Sequence, residues 1–400
     1  MRILYITSHG YLASTASSLN AILQQLRPRG LEPVMLFQKP GPWQQELAAQ
    51  GIPCYFDSLQ IPSKGQPFRS VWHIWRLVRL VKHEKIALIH CNEHQYYPLW
   101  RLVARWTGLP IITTLHWNLE PGFGLWAFRP PYLPARVQFL SRAQLDISRP
   151  ALPPQLGADR VKLLMSGLDI DDLLSRGDNA QQLRSQWGVD HHTVVIGTAS
   201  AIKPRKRLED FILLISRLRA RGLNVFGVIA GGGPFTDPSY HECLKNLIKQ
   251  EQLEDHCLMI GFINPITPFF KAIDISVSTS EMETFGMSIC EAMACGKPVI
   301  AYAAGSTPEV LPDSWCVAPF SDLDTLCEKA ARLVEDAEFR QQMGATAEHF
   351  VRKNFDAPVL AARQAAIYEE VLYRSLRPSQ PAQTSQLDFG RGCAKHVLGG

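Results

Sequence analysis

Short apolar runs recur along the chain, and a stretch with helical spacing follows nearly every one. The first run is 3–6, followed by helical spacing over 17–27. Residues 33–37 then read as a strand and 44–50 as a short helix. Helical spacing over 68–83 leads into an apolar run at 86–90, and a helix at 98–107 leads into a run at 110–115. Further strands are predicted at 137–140 and 161–164. Continuous apolar runs alternating with helices are the pattern of a parallel sheet covered on both faces. The pattern restarts with strands at 193–198, 225–230, 257–260, 275–278 and 298–302. Helices at 208–221, 240–250, 268–272 and 287–295 separate them. We therefore expect an α/β protein with two doubly wound parallel-sheet domains, 1–170 and 191–350. A linker at 171–190, rich in Asp, Arg and Gln, joins them. Residues 322–373 have helical composition, and 378–400 turn to Pro, Ser, Gln and Gly, which predicts a disordered tail.

Length and composition agree. A chain of 400 residues is long for one core and comfortable for two, and 46% hydrophobic with 20% charged residues is globular. The net charge of +4 is unevenly spread. Residues 1–170 hold 18 Lys and Arg against 9 Asp and Glu, a balance of +9; the rest hold 23 against 28, a balance of −5. That split suggests two domains facing different partners. No nucleic-acid partner is expected. The nine cysteines show no Cys-x-x-Cys and no zinc spacing, so no metal site is expected, and the odd count fits a reducing compartment. No run approaches the ~18 apolar residues of a spanning helix. Residues 1–7 read as a buried strand rather than a signal peptide. The expected location is cytoplasmic, with peripheral attachment at the inner face of a membrane as an option.

The stretch from Ser280 to Pro298 carries the chemistry. A strand ends near Ser280, a polar loop follows, and a helix is predicted from Met287, with Thr284 as its N-cap and Gly286 allowing close backbone approach. This is the carboxyl end of a parallel strand, where ligands of open sheets bind. The helix N-terminus offers free N–H groups to a diphosphate. Glu283 and Glu291 bracket the turn. Eight residues of helix would separate them by roughly 12 Å, too far for one proton-transfer pair. The spacing suits two hydroxyl-binding carboxylates instead.

The strings Glu283-Thr284-Phe285-Gly286 and Glu291-Ala292-Met293-Ala294-Cys295-Gly296-Lys297-Pro298 resemble the signature of family 4 retaining glycosyltransferases, the glycosyl transferases group 1. The resemblance covers most of the chain. Val228 to Pro234, Met259 to Ile263, Ala272 to Asp274, Pro308 to Val310, Leu88 to Cys91, Thr113 to His116 and Ser166 to Asp169 are similar to further family motifs. It implies the GT-B fold: two Rossmann-like domains facing across a cleft, the first binding acceptor and the second binding donor. A C-terminal helix, 351–377, is then expected to cross back to the first domain. By the resemblance, Glu291 binds the ribose hydroxyls and Glu283 the donor sugar. Thr284, Phe285, Gly286 and Met287 offer backbone amides. Gly231, Gly233, Phe262 and Ile263 surround the nucleotide, and Gly10 approaches the phosphates. Lys206 matches the family's phosphate-binding lysine. The family arginine after Gly197 is absent; Thr198 and Ser200 stand there, with Lys203 and Arg205 as substitutes. His116, ahead of His90 and His94, is the expected contact to the donor sugar. His116, Glu283 and Lys206 are thus the candidate catalytic residues.

The implied reaction is retaining transfer of a hexose-type sugar from a nucleoside diphosphate sugar, UDP by default, to a glycan or lipid-linked glycan. The implied setting is bacterial surface polysaccharide or lipopolysaccharide synthesis. No cofactor is expected, and no Asp-x-Asp metal motif is evident, so activity is expected to be metal-independent. The helix at 68–85 mixes Trp72, Trp75, Leu77, Val78 and Val81 with Arg69, Arg76, Arg79, Lys82 and Lys85. That suits either packing on the sheet or contact with an anionic membrane. Two other readings share the architecture: a sugar-nucleotide epimerase, and a nucleotide-binding protein without catalysis.

Overall fold

The structure, a computed structural model, describes residues 1–12, 14–61, 65, 67–233 and 236–376. The expected disordered tail lies outside the described residues. Seven strands form the first sheet: β1 (Arg2–His9), β2 (Glu32–Lys39), β3 (Cys54–Phe56), β4 (Ile86–Cys91), β5 (Ile111–Leu115), β6 (Arg136–Phe139) and β7 (Val161–Leu163). Six form the second: β8 (Val194–Ala199), β9 (Val225–Ala230), β10 (Cys257–Gly261), β11 (Ile275–Ser278), β12 (Val299–Tyr302) and β13 (Val317–Ala318). Their orders are β3-β2-β1-β4-β5-β6-β7 and β10-β9-β8-β11-β12-β13, and the pairings are parallel. These are two Rossmann-like doubly wound sheets, with the order reversing beside β1 and beside β8. In such sheets the ligand crevice lies outside the carboxyl ends at that reversal.

The strand period of two sorts the first core. Leu4 and Ile6 pack on one face with Val34, Leu36, Ile89 and Trp100. Ile3 and Tyr5 pack on the other with Met35, Phe37, Leu88 and Ile112. The helix Pro67–His83 covers the first face through Ile74, Leu77, Val78 and Val81. It leaves Phe68, Val71, Trp72 and Trp75 exposed, so it combines packing with an aromatic outer surface.

The second face is covered partly by the end of the chain. Leu168 and Asp356 form an isolated bridge, with Leu168 N donating to Phe355 O at 3.1 Å and Ala357 N to Leu168 O at 2.9 Å. The chain thus leaves the first domain and returns to it at one point. The last helix, Ala357–Leu376, then lays Leu360, Ala361, Ala365, Tyr368 and Val371 against Tyr5, Leu19, Ile22 and Leu23. Those positions recur at helical spacing and make one buried stripe. Tyr368 donates from its hydroxyl to Tyr5 at 2.9 Å and lies 2.6 Å from His90 Nδ1. Arg136 and Lys162 hold Glu370 at 2.7 and 3.0 Å.

The stretch 171–190 is not an open linker. It forms the helices Ile170–Ser175 and Ala180–Gln186, which pack on the second domain. Trp187 meets Phe269 edge-on, 6.3 Å between centroids, within the roughly 4.5–7 Å of aromatic pairs. Arg184 bonds Asp274 at 2.9 Å. The polar composition reflects charges satisfied in ion pairs, which a sequence cannot distinguish from solvated ones. Among the described residues, no helix is long and apolar enough to cross a membrane.

Replacing Tyr368 removes a fully buried ring from the face it covers. Tyr368→Ala should destabilise the protein by about 3–5 kcal/mol in urea unfolding, the range for deleting a buried aromatic. Tyr368→Phe, which loses only the hydroxyl bonded to Tyr5 and His90, should cost about 1 kcal/mol.

Candidate active site

A cavity of about 680 Å³ opens between the carboxyl ends of the two sheets. The second domain lines it with Ser200 after β8, Gly231 and Gly232 after β9, Phe262 and Ile263 after β10, and Met287, Ser288 and Glu291 of the helix Met287–Ala294. The first domain contributes Leu12, Ser17, Asn20 and Gln24. Gly231 is required by packing: a Cβ there would lie 2.0 Å from Ser200 O. The Ser200 loop and the Gly231 turn therefore share one tight wall.

Glu291 is one of several charged residues lining this cavity, with Glu46, Asp169, Asp172 and Arg176. It is half-buried, and among the described residues its carboxylate has no hydrogen-bond partner. Burial pushes it up to about 7. A carboxylate without a partner in such a place is costly to keep charged, so it invites hydroxyl donors. The helix carrying it starts at Gly286, which sits in the left-handed region at φ 89° and serves as N-cap without a side-chain bond. Thr284 therefore does not cap the helix, contrary to the sequence expectation. The turn is closed by backbone geometry that only glycine adopts freely. The first-turn N–H groups stay unused by side chains and open beside Met287 and Ser288.

Glu283 and Lys206 form a separate unit. Lys206 Nζ lies 2.5 Å from Glu283 Oε1, and both side chains are largely shielded from solvent. The basic turn is fixed to the signature loop by its backbone: Glu281 N donates to Arg205 O at 2.9 Å and Thr279 Oγ1 to Lys206 O at 2.9 Å. Arg207 is committed elsewhere, to Asp210 and to the face of Phe320 at 5.5 Å. Arg205 is exposed. Glu283 is also held from behind, since Ser306 N donates to its carbonyl at 2.8 Å. A Cβ on Gly305, whose φ is 58°, would fall 2.1 Å from that same oxygen. Phe285 points away from the cavity and packs on Phe355 at the chain crossing, 5.4 Å between centroids.

The first-domain candidates sit apart from the cavity. His116 is half-buried at the end of β5, 3.4 Å from Asn92 Oδ1, and lines a small cavity of about 30 Å³ with His90, Thr114, Gln138 and Tyr368. Burial lowers it to about 4 and His90 to about 3, so both rings are neutral at pH 7. His94, lowered to about 4 by burial, is boxed by Trp117 and Phe123. Gly10 packs on Gly41, where a Cβ would lie 2.5 Å from Gly41 N, and does not line the cavity.

Of the residues picked from sequence, the structure thus gathers Ser200, Gly231, Phe262, Ile263, Met287 and Glu291 around one cavity. It pairs Lys206 with Glu283, sets Thr284 and Gly286 between these groups, and leaves Gly10, Arg205, Gly233 and His116 off the cavity wall. Two structure-holding carboxylates escaped sequence reasoning. Buried Glu93 accepts from Thr7 Oγ1 at 3.0 Å and from Ser8 N and Oγ at 2.8 Å each, fixing the loop after β1. Glu309 reaches across the domains and accepts from Arg142 N at 2.7 Å and Ala143 N at 2.8 Å, at the start of the helix Arg142–Ser148. The favourable dipole end of that helix makes this a domain-to-domain clasp. The only sequence signal was the Pro308-Glu309 motif itself.

Known proteins give an independent comparison. The family model for glycosyl transferases group 1 matches residues 179–350, and that for the glycosyl transferase 4-like domain matches 15–152. N-acetyl-alpha-D-glucosaminyl L-malate synthase of Bacillus anthracis is 25% identical over 206 residues, 51% of this chain and 52% of the relative. The match thus spans about half the length of that relative. Alpha-D-kanosaminyltransferase of Streptomyces kanamyceticus is 25% identical over 306 residues, 70% of this chain and 76% of its own. Anabaena HepE, solved in complex with UDP, superposes with a TM-score of 0.79 over 92% of this chain and 100% of its own, at 22% identity.

The backbone contact behind Glu283 makes a specific expectation. Gly305→Ala should push Glu283 out of register and lower donor turnover by roughly 100-fold, the scale of an ångström-level misplacement.

Proposed function

Because this chain belongs to the group 1 glycosyl transferases of family 4, with the GT-B fold, we propose that it moves a hexose-type sugar from a nucleoside diphosphate sugar to a hydroxyl of a glycan or lipid-linked glycan. UDP is the nucleotide we assign, supported by the UDP bound to Anabaena HepE. The setting we favour is bacterial surface polysaccharide or lipopolysaccharide synthesis, since a first domain with a balance of +9 suits an anionic or lipid-linked acceptor.

The observation that carries the reading is the partnerless carboxylate of Glu291 in a cavity flanked by a helix N-terminus. A ribose offers two adjacent hydroxyls, which one carboxylate accepts together. Phe262 and Ile263 beside it suit the base, with Phe262 70% exposed and so available to a ring. The first-turn amides of Met287–Ala294 suit the diphosphate. Lys206 stands in the basic turn after β8, with Arg205 next to it in place of the absent family arginine, while Arg176 on the cavity wall is paired with Asp172. Glu283 then takes hydroxyls of the donor sugar. The Lys206–Glu283 contact would be exchanged or shared as the diphosphate enters, keeping both charges compensated. His116, neutral, suits a sugar hydroxyl better than a phosphate.

The mechanism we propose is retaining and front-face. The acceptor oxygen bonds to the anomeric carbon on the side from which the phosphate oxygen departs. The acceptor's proton passes to that departing oxygen, which carries the electron pair away. The protein's part is to hold the reactants and stabilise the charge developing on the diphosphate through Lys206 and the helix amides. No enzymic nucleophile is required. We assign this charge stabilisation to protein groups, so turnover should survive excess chelator; complete loss would overturn that assignment.

The reading is tested by incubation with UDP-, GDP-, ADP- and dTDP-sugars, reading slow hydrolysis and thermal shift. A response to at least one donor is expected. No response to any would sink the transferase reading, and an epimerised sugar without released nucleotide would favour an epimerase. A second expectation concerns pH. Glu291 ionises near 7, and the ionised form accepts the ribose hydroxyls, so UDP affinity should rise from pH 6 to 8 and level off above that. The gain is at most roughly tenfold per unit below 7. Glu291→Gln should bind UDP more weakly and lose that part of the pH dependence.

A further inference from the structure

The helix Pro67–His83 has two apolar stripes, and the fold uses one of them. Ile74, Leu77, Val78 and Val81 are buried on the first sheet. Phe68, Val71, Trp72 and Trp75 stand at i, i+3, i+4 and i+7 and form a second stripe along the outer side, all exposed. Phe68, at 90%, is the most exposed large apolar side chain among the described residues. We propose that this outer stripe docks on an anionic phospholipid surface, with the helix lying in the plane of the headgroups. The proposal does not depend on the glycosyltransferase reading, because it rests on other residues and on binding alone.

The stripe changes character along its length. Arg79 and Lys82 continue it at the next helical positions, so apolar side chains occupy its first half and cations its second. Lys85 follows just beyond the helix. Arg76 is paired with Asp57 and Arg69 is also engaged, so neither is counted. Among the described residues, Arg79, Lys82 and Lys85 enter no ion pair. Arg79 lies over the Trp75 ring, 5.0 Å from its centroid, a contact that leaves its charge uncancelled. The helix carries no Asp or Glu, and Glu84 just after it is buried against Arg2 and Tyr55. The neighbouring helix, Tyr97–Thr107, packs beside it on the same sheet face and exposes Arg105 and Trp106. It runs the same way between parallel strands, so these two residues stand toward the same end as Arg79 and Lys82. Uncompensated cations beside exposed aromatic rings are complementary to an anionic bilayer.

The residue types favour lipid as the occupant. A tryptophan ring is apolar in body and polar at its N–H, which suits the boundary between acyl chains and headgroups. Arg and Lys lay their stems along apolar surface and carry their charge out to the phosphates. A second copy of this chain, docked through the same stripe, would add the same cations from the other side. The support beneath the stripe is rigid. The buried stripe holds the helix to the sheet, and Asp57, which accepts from Leu59 N at 2.9 Å, ties its flank through His73 at 2.6 Å and through Arg76. The outer side chains are therefore presented on a formed helix, and docking needs no folding step.

The test is co-sedimentation of the full chain with vesicles of phosphatidylcholine alone and of equimolar phosphatidylcholine and phosphatidylglycerol. The anionic vesicles should bind at least roughly tenfold tighter, since each cation near such a surface contributes about fivefold. That preference should fade toward ~1 M salt, where the screening length falls to ~3 Å. Arg79→Gln with Lys82→Gln should weaken binding to the anionic vesicles roughly 25-fold by the same measure. Phe68→Ser with Trp75→Ser should weaken it by at least roughly tenfold through lost apolar burial. Lys245→Gln with Lys249→Gln removes as many charges from the second domain and should leave binding at the wild-type value. All six side chains are exposed, so the melting midpoint should hold in every variant. Equal binding to both kinds of vesicle, a first-domain variant that binds like the wild type, or an equal loss in the second-domain variant would overturn the proposal. Binding to neither vesicle would leave the stripe to a protein partner and overturn it as well. Self-association in sedimentation velocity, abolished by Phe68→Ser with Trp75→Ser and without vesicle binding, would give the stripe to a second copy with the same consequence.

Discussion

Two parallel sheets, each presenting its loops at one edge, have to be held with those edges facing. Everything at the candidate site depends on that constraint, because neither edge carries a complete site. The holding is done by a double crossing. Leu168 leaves the first domain beside Asp356, where the chain returns, joined by backbone bonds of 3.1 and 2.9 Å. The last helix then buries its stripe on the first sheet, so separating the domains fully would expose a packed face. Phe355 at the crossing also touches Phe285 of the signature loop. The support of the fold and the support of the site are thus one piece of structure.

Three carboxylates, Glu291 on the cavity wall and Glu283 and Glu309 off it, differ by environment. Glu291 has burial without a partner and is pushed up to about 7. Glu283 has a cation at 2.5 Å and a backbone cradle from Gly305 and Ser306. Glu309 spends its charge on two amides of the opposite domain. The last two follow one another along a single segment: Gly305 and Ser306 hold Glu283, and Glu309 clasps the first domain three residues later. Movement of one domain against the other is therefore felt at Glu283 through a handful of backbone bonds. Hydrogen-bonded turns transmit such a displacement because they are packed too tightly to deform smoothly.

The fold was largely legible because both doubly wound halves announce themselves by local apolar runs. β9 and β11 lie where periodicity puts them. β3 and β13 escaped, at three and two residues, because they are too short to leave a pattern. The stretch 171–190 read as a linker because Asp, Arg and Gln look alike whether solvated or paired. Arg184 and Asp274 are 90 positions apart, and no local rule joins them. The candidate site divides in the same way. Glu283, Glu291 and the glycine turns are contiguous strings and were visible. Glu93 and Glu309 act on groups 85 and more than 160 positions away and were not.

The sequence by itself determined the alternation of strand and helix, the two units, and the placement of the signature loop at a strand end before a helix. These follow from propensities and spacings acting within about twenty residues. The tertiary structure alone decided which cation faces which carboxylate, which carboxylate stays without a partner, and that Gly286 rather than Thr284 begins the helix. It also decided that Gly10 serves the packing of Gly41 instead of a cavity wall. The physical reason is that charge state, close approach and burial depend on distances through space. Those distances exist only once two sheet edges have been brought together.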